Sequence, residues 1–297
     1  MLPSLIDPQA SSRAQRLYRL LSESQGKRLF LAQQECPGRL HHEMEMEYLS
    51  QITGELPAIR GLDFIHNDFE GTVERALRWN DRGGAVTICW HTGIDGIGYP
   101  ESQAETHDFQ ELLRPGSPLQ GKLLRRWEDA VKALRRLQSQ DVPVLWRPFH
   151  EFDGGWFWWG KGAGEDFIAL WRLMLRVFRE EAGLHNLIWV LGYCGEVKDG
   201  WYPGDDGCDI LGSDTYNGVT VQKPAWDRLR ALTADKPLAY HECGVIPPLD
   251  DLFGLGTEWT WIMPWHGQWL LENNPPDSLK AIYRDERAVT LSRMPAF

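Results

Sequence analysis

The stretch Leu145-Trp146-Arg147-Pro148-Phe149-His150-Glu151-Phe152-Asp153-Gly154-Gly155-Trp156-Phe157-Trp158-Trp159-Gly160 places an Arg, a His and a Glu at the end of an apolar run. Glycines and aromatics follow at once. Ionic side chains beside so much apolar surface cost free energy unless they are paired and hydrogen-bonded. A carboxyl group among flat aromatic faces suits one chemistry in particular: protonation of a glycosidic oxygen while a pyranose ring rests on an indole. That chemistry needs a second carboxylate. Glu242, at the end of Leu238-Ala239-Tyr240-His241-Glu242, is the candidate.

The elements that must position these groups follow a repeating rhythm. Eight short apolar runs read as strands: 28–33, 58–64, 85–90, 142–149, 187–191, 209–216, 237–240 and 259–265. A capped helix begins at Ser11 or Ser12, with Leu17, Leu20 and Leu21 at helical spacing. Leu123, Leu124, Trp127, Val131, Leu134 and Leu137 share one face of a helix ending near Gln138. Phe167, Leu170, Trp171, Met174, Leu175 and Phe178 do the same in the next. Residues 226–232 form a shorter helix candidate and 276–291 a closing one. Strands alternating with helices, without a linker, predict an α/β (β/α)8 TIM barrel forming a single domain over 1–297. An open doubly wound sheet is the alternative, but the Gly-rich phosphate fingerprint it often carries is missing.

In such a barrel every strand delivers its C-terminal end to one mouth, so residues far apart in sequence converge. The polar strand ends are Gln33-Gln34-Glu35, Asp63, Trp90-His91, Arg147 with His150-Glu151, Asp214 with Tyr216, His241-Glu242, and Trp265-His266. Strands four and seven face each other across the mouth, so Glu151 and Glu242 can flank one bond. A retaining glycosidase holds its two carboxyls about 5–5.5 Å apart. One of the two must then be ionised to attack, and its charge should raise the pKa of the other and keep that acid protonated.

The remaining composition narrows the classes. The net charge of −11 argues against nucleic acid as a partner. No apolar run reaches the roughly 18 residues of a membrane span. The start, Met1-Leu2-Pro3-Ser4, shows no signal peptide, which predicts a cytoplasmic protein or a secreted one whose leader is already removed. The five cysteines, Cys36, Cys89, Cys194, Cys208 and Cys243, form no CxxC pair and read as reduced packing residues. Fifteen tryptophans exceed what core packing asks for, and several lie in Gly-rich turns.

Trp146-Arg147-Pro148-Phe149-His150-Glu151 with Gly155-Trp156-Phe157-Trp158-Trp159-Gly160 resembles the acid/base signature of glycoside hydrolase family 26, best known for endo-β-1,4-mannanases. The resemblance extends to Pro57-Ala58-Ile59-Arg60-Gly61-Leu62-Asp63-Phe64, Trp90-His91, Asp214-Thr215-Tyr216 and Trp265-His266-Gly267, and so covers nearly the whole chain. It implies a (β/α)8 barrel, a retaining mechanism, Glu151 as acid/base and Glu242 as nucleophile. It further implies that His150 holds the catalytic geometry and that Tyr216 hydrogen-bonds the nucleophile. Trp265 would lie under the sugar at the cleavage subsite and Trp156 beside it. His91, Arg147, Asp214, Trp90 and His266 would line that subsite. The implied partner is a β-mannan-type oligo- or polysaccharide, with no cofactor and no metal. Two positions depart from the family pattern: Asp153 where Asn is common, and His241 where Thr or Ser is more usual.

Rival readings stay open at this point. Within the family, β-1,3-1,4-glucanases and β-1,3-xylanases share both glutamates. A metal-dependent barrel hydrolase would use His91, His150 and His241, and a non-catalytic carbohydrate-binding barrel needs neither glutamate. His41-His42-Glu43, with Glu45 and Glu47, could suggest a metal site but reads better as a solvated loop or helix start. Loops 92–106, 154–164 and 247–256 are the ones that could close an end of the cleft.

Overall fold

The structure, a computed structural model, describes residues 4–37, 41–194, 197–218 and 221–297; the first three residues of the leader expectation lie outside the described residues. Eight parallel strands run β1 (Leu29–Gln34), β2 (Ile59–Asp63), β3 (Ala85–Cys89), β4 (Val144–Arg147), β5 (Leu187–Cys194), β6 (Ile210–Thr215), β7 (Leu238–Cys243) and β8 (Trp261–Pro264). Each pairs with the next, and β1 pairs with both β8 and β2, which closes the barrel. All eight expected strands are present. β5 and β7 run on to Cys194 and Cys243, past the expected ends at 191 and 240.

Period-two alternation sorts the side chains into two layers. Phe30, Ala32, Ile59, Ala85, Leu145, Ile188, Val190, Ile210, Ala239, Trp261 and Met263 fill the barrel interior. Their neighbours in sequence, among them Leu31, Leu62, Val86, Trp146, Trp189, Leu211 and Tyr240, pack outward against the helices. The helix Pro118–Ser139 buries Leu123, Trp127, Val131, Leu134 and Leu137 as its spacing predicted. The helix Phe69–Asp81 is an element the sequence reading passed over. Asp68 caps it by accepting from the Gly71 amide, and Val73, Ala76 and Trp79 form its buried stripe.

The helix Ser12–Ser24 plugs the N-terminal end of the barrel. Its Ala14, Leu17, Tyr18 and Leu21 join the interior cluster, and the Tyr18 hydroxyl donates to the Asp209 carbonyl. At the other end of the chain the expected closing helix is shorter than 276–291. It spans Pro276–Arg284, after which Ala288–Val289 forms a ninth strand, β9, beside β1. The Leu29 amide donates to the Arg287 carbonyl at 2.9 Å, so pairing with the barrel wins over another helical turn.

One irregularity bears on the site. Ser213 of β6 pairs with Tyr240 of β7, yet Asp214 pairs with Glu242, which leaves His241 as an extra, bulged residue.

Candidate active site

Arg147 ends β4 with its guanidinium buried between two acids. Nη1 donates to Asp214 Oδ2 at 2.7 Å and Nη2 donates to Glu242 Oε1 at 2.6 Å. Strand alternation brings it there, because Leu145 two residues earlier already points inward. Burial alone would lower the Arg147 pKa, but the two carboxylates more than reverse that. Glu242 receives a second bond on its other oxygen, from the Tyr216 hydroxyl at 2.7 Å. Burial, with the Asp214 charge, raises the Glu242 pKa, and Arg147 and Tyr216 limit that rise. Both of its oxygens are therefore anchored, and one partner carries a full positive charge.

Glu151 is placed by unusual backbone. Beyond Pro148 the strand breaks, and Phe149 and Glu151 both adopt left-handed conformations, with φ 50° and φ 54°. The Glu151 amide donates to the Gly192 carbonyl of β5 at 2.8 Å, which ties the turn to the rim. Among the described residues its side chain accepts one bond, from the Trp156 indole at 2.8 Å. Burial, then the charges of Glu242 and Asp214, raise its pKa well above the ordinary carboxyl value. One carboxylate oxygen each of Glu151, Asp214 and Glu242 lies within 4.8 Å of the others. That spacing falls short of the roughly 6.5–9.5 Å that leaves room for a water between two carboxyls.

Two histidines stand behind this pair. Asp63, ending β2, faces His91 Nδ1 at 2.5 Å and also accepts from the His91 amide. A carboxylate on Nδ1 sets the proton there and leaves Nε2 to accept from His150 Nε2–H at 3.0 Å. His150 Nε2 is also 4.0 Å from Glu242 Oε1. Burial and the neighbouring Arg147 charge hold His150 neutral, with its pKa well below the usual value. Phe157 stacks on Trp159 at 4.5 Å and packs against both imidazoles. The Trp159 indole donates to the His150 carbonyl and the Trp158 indole to the Thr92 carbonyl, both at 2.8 Å. These three aromatics brace the site, while Trp156, 40% exposed, is the one open to solvent.

Trp265 and His266 follow β8 and remain half-buried at the mouth, with the Trp265 ring 6.0 Å from His91. Gln33 donates to the Pro264 and Trp265 carbonyls, and Glu45 accepts from the Gly267 amide, so β1 and the helix Met44–Thr53 anchor this loop. Two expected mouth residues are elsewhere. Trp90 is buried in the outer layer, edge-on to Phe64 and Phe69, because β3 alternation turns Cys89 and His91 inward and Trp90 outward. Glu35 likewise leaves the barrel on the outer side, where Arg60 and Arg75 donate to its two oxygens at 2.8 and 2.7 Å.

The structure also adds a residue that the sequence reading left out and gives Asp153 a place. Tyr99, which opens the short helix Tyr99–Ala104 after β3, lies 5.3 Å from His91 and 5.7 Å from Phe157, and burial and the charges of Glu151 and Glu242 raise its pKa. Nothing short of the folded loop signals it. Asp153 accepts from the Cys194 amide at 2.9 Å and fastens the Glu151 turn to β5, and burial pushes its carboxyl up to about 6.

Of the metal readings, His91 and His150 group with Cys89 in ligand-like proximity, but His241 belongs to no such cluster among the described residues. The gap between Asp214 and Glu242 is filled by the Arg147 guanidinium. His42 and Glu43 are spent on the Cys36 carbonyl and on Arg60 at the start of the helix Met44–Thr53.

Comparison with known proteins agrees with this geometry. The profile of Glycosyl hydrolase family 26 matches residues 6–292. A mannan endo-1,4-beta-mannosidase of Thermothelomyces thermophilus is 32% identical over 98% of this chain, which spans 63% of that relative's length. A ruminal GH26 endo-beta-1,4-mannanase has a similar structure, with a TM-score of 0.92 and 29% identity over 99% of this chain and 71% of that one. A beta-mannanase from a symbiotic protist of the termite Reticulitermes speratus, complexed with gluco-manno-oligosaccharide, gives a TM-score of 0.91 and 28% identity, covering 99% and 98% of the two chains.

Proposed function

Because the chain belongs to glycosyl hydrolase family 26, we propose that it cleaves β-1,4-mannosidic linkages in mannan, glucomannan or galactomannan by double displacement. The relatives named above as mannanases support the substrate class. The observation that carries the mechanism is the unequal treatment of two neighbouring carboxyls. Glu242 is held on both oxygens by Arg147 and Tyr216, whereas Glu151 has, among the described residues, a single indole donor and faces two anions. The first arrangement favours a carboxylate and the second a carboxylic acid.

In the first step an oxygen of Glu242 bonds to the anomeric carbon as the glycosidic C–O bond breaks, and the Glu151 proton goes to the departing oxygen. Glu242 is then an ester without charge, so the repulsion that held the Glu151 proton is gone. Glu151, now a carboxylate, takes a proton from water as that water attacks the anomeric carbon and releases Glu242. Trp265 and Trp156 offer faces to the sugar, and His91, His150, Asp214 and His266 surround its hydroxyls. His91 and His150 are passed a fixed tautomer by Asp63, so their polar edges are preset.

One catalytic barrel covers the sequence given. Among the described residues no helix is long and apolar enough to cross a membrane. Product analysis on mannan, glucomannan, mixed-linkage glucan and xylan tests the substrate. Release of short oligosaccharides from the first two alone is expected, and equal or faster cleavage of mixed-linkage glucan or xylan would overturn the assignment.

A further inference from the structure

His241 is a residue the proposed chemistry does not use. It is fully buried directly below the Arg147 network, and neither ring nitrogen has a hydrogen-bond partner among the described residues. Asp214 Oδ1 is likewise buried without a partner. The two deficits face each other, with His241 Nδ1 3.5 Å from Asp214 Oδ1. A movement of a few tenths of an ångström makes a hydrogen bond and removes two unsatisfied buried groups, each costing about 1–3 kcal/mol.

The barrel is shaped around this imidazole. A Cβ on Gly212 of β6 would stand 2.3 Å from the His241 ring, so the ring fits only because position 212 is glycine. Gly192 of β5 pairs with Gly212 in register, and a Cβ there would press on Asp214 Oδ2 at 3.2 Å. Trp261 of β8 closes the remaining side, with its ring 5.1 Å from the imidazole.

The bulge supplies the second argument. Ala239 faces the interior and Tyr240 the outer layer, so strict alternation would turn His241 inward and Glu242 outward. With His241 as the extra residue, both face inward, and Glu242 meets Arg147 and Tyr216. Bulges re-aim side chains in this way next to active sites.

We propose that His241 is a positioning residue for the nucleophile: it holds the β7 bulge that turns Glu242 into the mouth and donates from Nδ1 to Asp214, the acid that shares Arg147 with Glu242. This rests on Glu242 being the nucleophile. The groups around the pair are Arg147, His150 and Glu151 after β4, His91 after β3, Cys194 on β5, Tyr216 after β6, and Tyr240 and Glu242 on β7. Full burial, and then the Arg147 charge beside it, keep the imidazole neutral. Without its N–H, Asp214 loses a donor that favours the carboxylate, so Asp214 protonates at higher pH and Arg147 withdraws toward Glu242.

The test compares His241→Leu, His241→Asn and His241→Gln on soluble mannan, with thermal melting as the check on folding. Asn can place an N–H where Nδ1 stands, and Gln reaches the Nε2 position instead. The Leu variant should lose about 100-fold in kcat, the cost of a misplaced reacting group, with little change in KM. The acid limb of its kcat/KM profile, set by Glu242, should move to lower pH, because Arg147 draws closer to Glu242 and a protonated Asp214 no longer opposes its charge. Asn should recover most of the rate and the limb, and Gln should behave like Leu. An acid limb unmoved in Leu, or equal recovery by Asn and Gln, would overturn the proposal even if Leu folds poorly, since Asn against Gln still decides. Glu242→Ala is run alongside: if it retains turnover, the nucleophile assignment has failed, whereas a dead Glu242→Ala with a fully active Leu variant sinks only the role of His241.

Discussion

The two ends of the barrel both bury carboxyl groups, and they treat them in opposite ways. At the plugged end, Asp209 accepts from the Ile6 amide on one oxygen and the Trp189 amide on the other, both at 2.7 Å. The helix Ser12–Ser24 seals it from water. At the open end, Glu151 is burdened by burial and two anions and has one donor among the described residues. Burial raises both, Asp209 to about 7. A raised pKa therefore does not mark a catalytic acid. What separates them is that Asp209 has both oxygens matched by fixed amides and a lid above, whereas Glu151 stands beside an anchored anion with an open aromatic face. Glu35 makes the same point on the barrel's outer side: burial pushes it up to about 7, yet two arginines claim its oxygens.

That contrast can be broken most forcefully at the open end. Glu151→Ala should cost on the order of 10²–10⁴-fold in kcat on mannan and much less on an aryl mannoside whose leaving group departs without a proton. Steady-state kinetics on both substrates checks this, and equal losses would place the acid elsewhere. At the plugged end the effect should fall on stability alone. Asp209→Asn sets an NH2 group against one of the two amides and should destabilise the fold by about 1–3 kcal/mol in urea titration, with kcat of the folded enzyme unchanged. A fall in kcat without loss of stability would dissolve the distinction between the ends.

The smallest effect sharpens the comparison. Activity needs Glu151 protonated, so it is lost as pH rises through the raised Glu151 pKa, and needs Glu242 ionised, so it is lost as pH falls through the Glu242 pKa. The Trp156 indole stabilises the Glu151 carboxylate and lowers its pKa. Trp156→Phe removes that N–H, so the alkaline limb of the kcat/KM profile should move modestly upward, with a higher KM from the altered platform. A downward shift would contradict the assigned hydrogen bond.

Much of this was legible in the sequence because strand alternation is strict where the barrel is regular. Leu145 and Arg147, or Ile210, Gly212 and Asp214, keep one parity and point inward as counting by two requires. The same count, carried from Ala85 through Cys89 to His91, turns Trp90 outward, and from Phe30 through Gln34 it turns Glu35 outward. Those two expectations failed because strand-end position was weighed without parity. Elsewhere parity itself breaks. The left-handed backbone at Phe149 and Glu151 sends Phe149 into the outer layer, and the bulge at His241 brings Glu242 inward against the alternation. Such geometry is set by tertiary contacts, and only the motif around Glu151 hinted at it. Tyr99 and the anchoring of the Trp265 loop by Gln33 and Glu45 depend on loop paths that no local pattern encodes.

The central claim is that Glu242, anchored by Arg147 and Tyr216, forms a covalent bond to the sugar while Glu151 handles the proton. The stereochemistry of the first-formed product tests it most directly. Following the anomeric protons by NMR from the first seconds of manno-oligosaccharide hydrolysis should show the β anomer appearing first and the α anomer only by later mutarotation. Initial appearance of the α anomer would mean single displacement by water, and the account of the two carboxyls would be wrong.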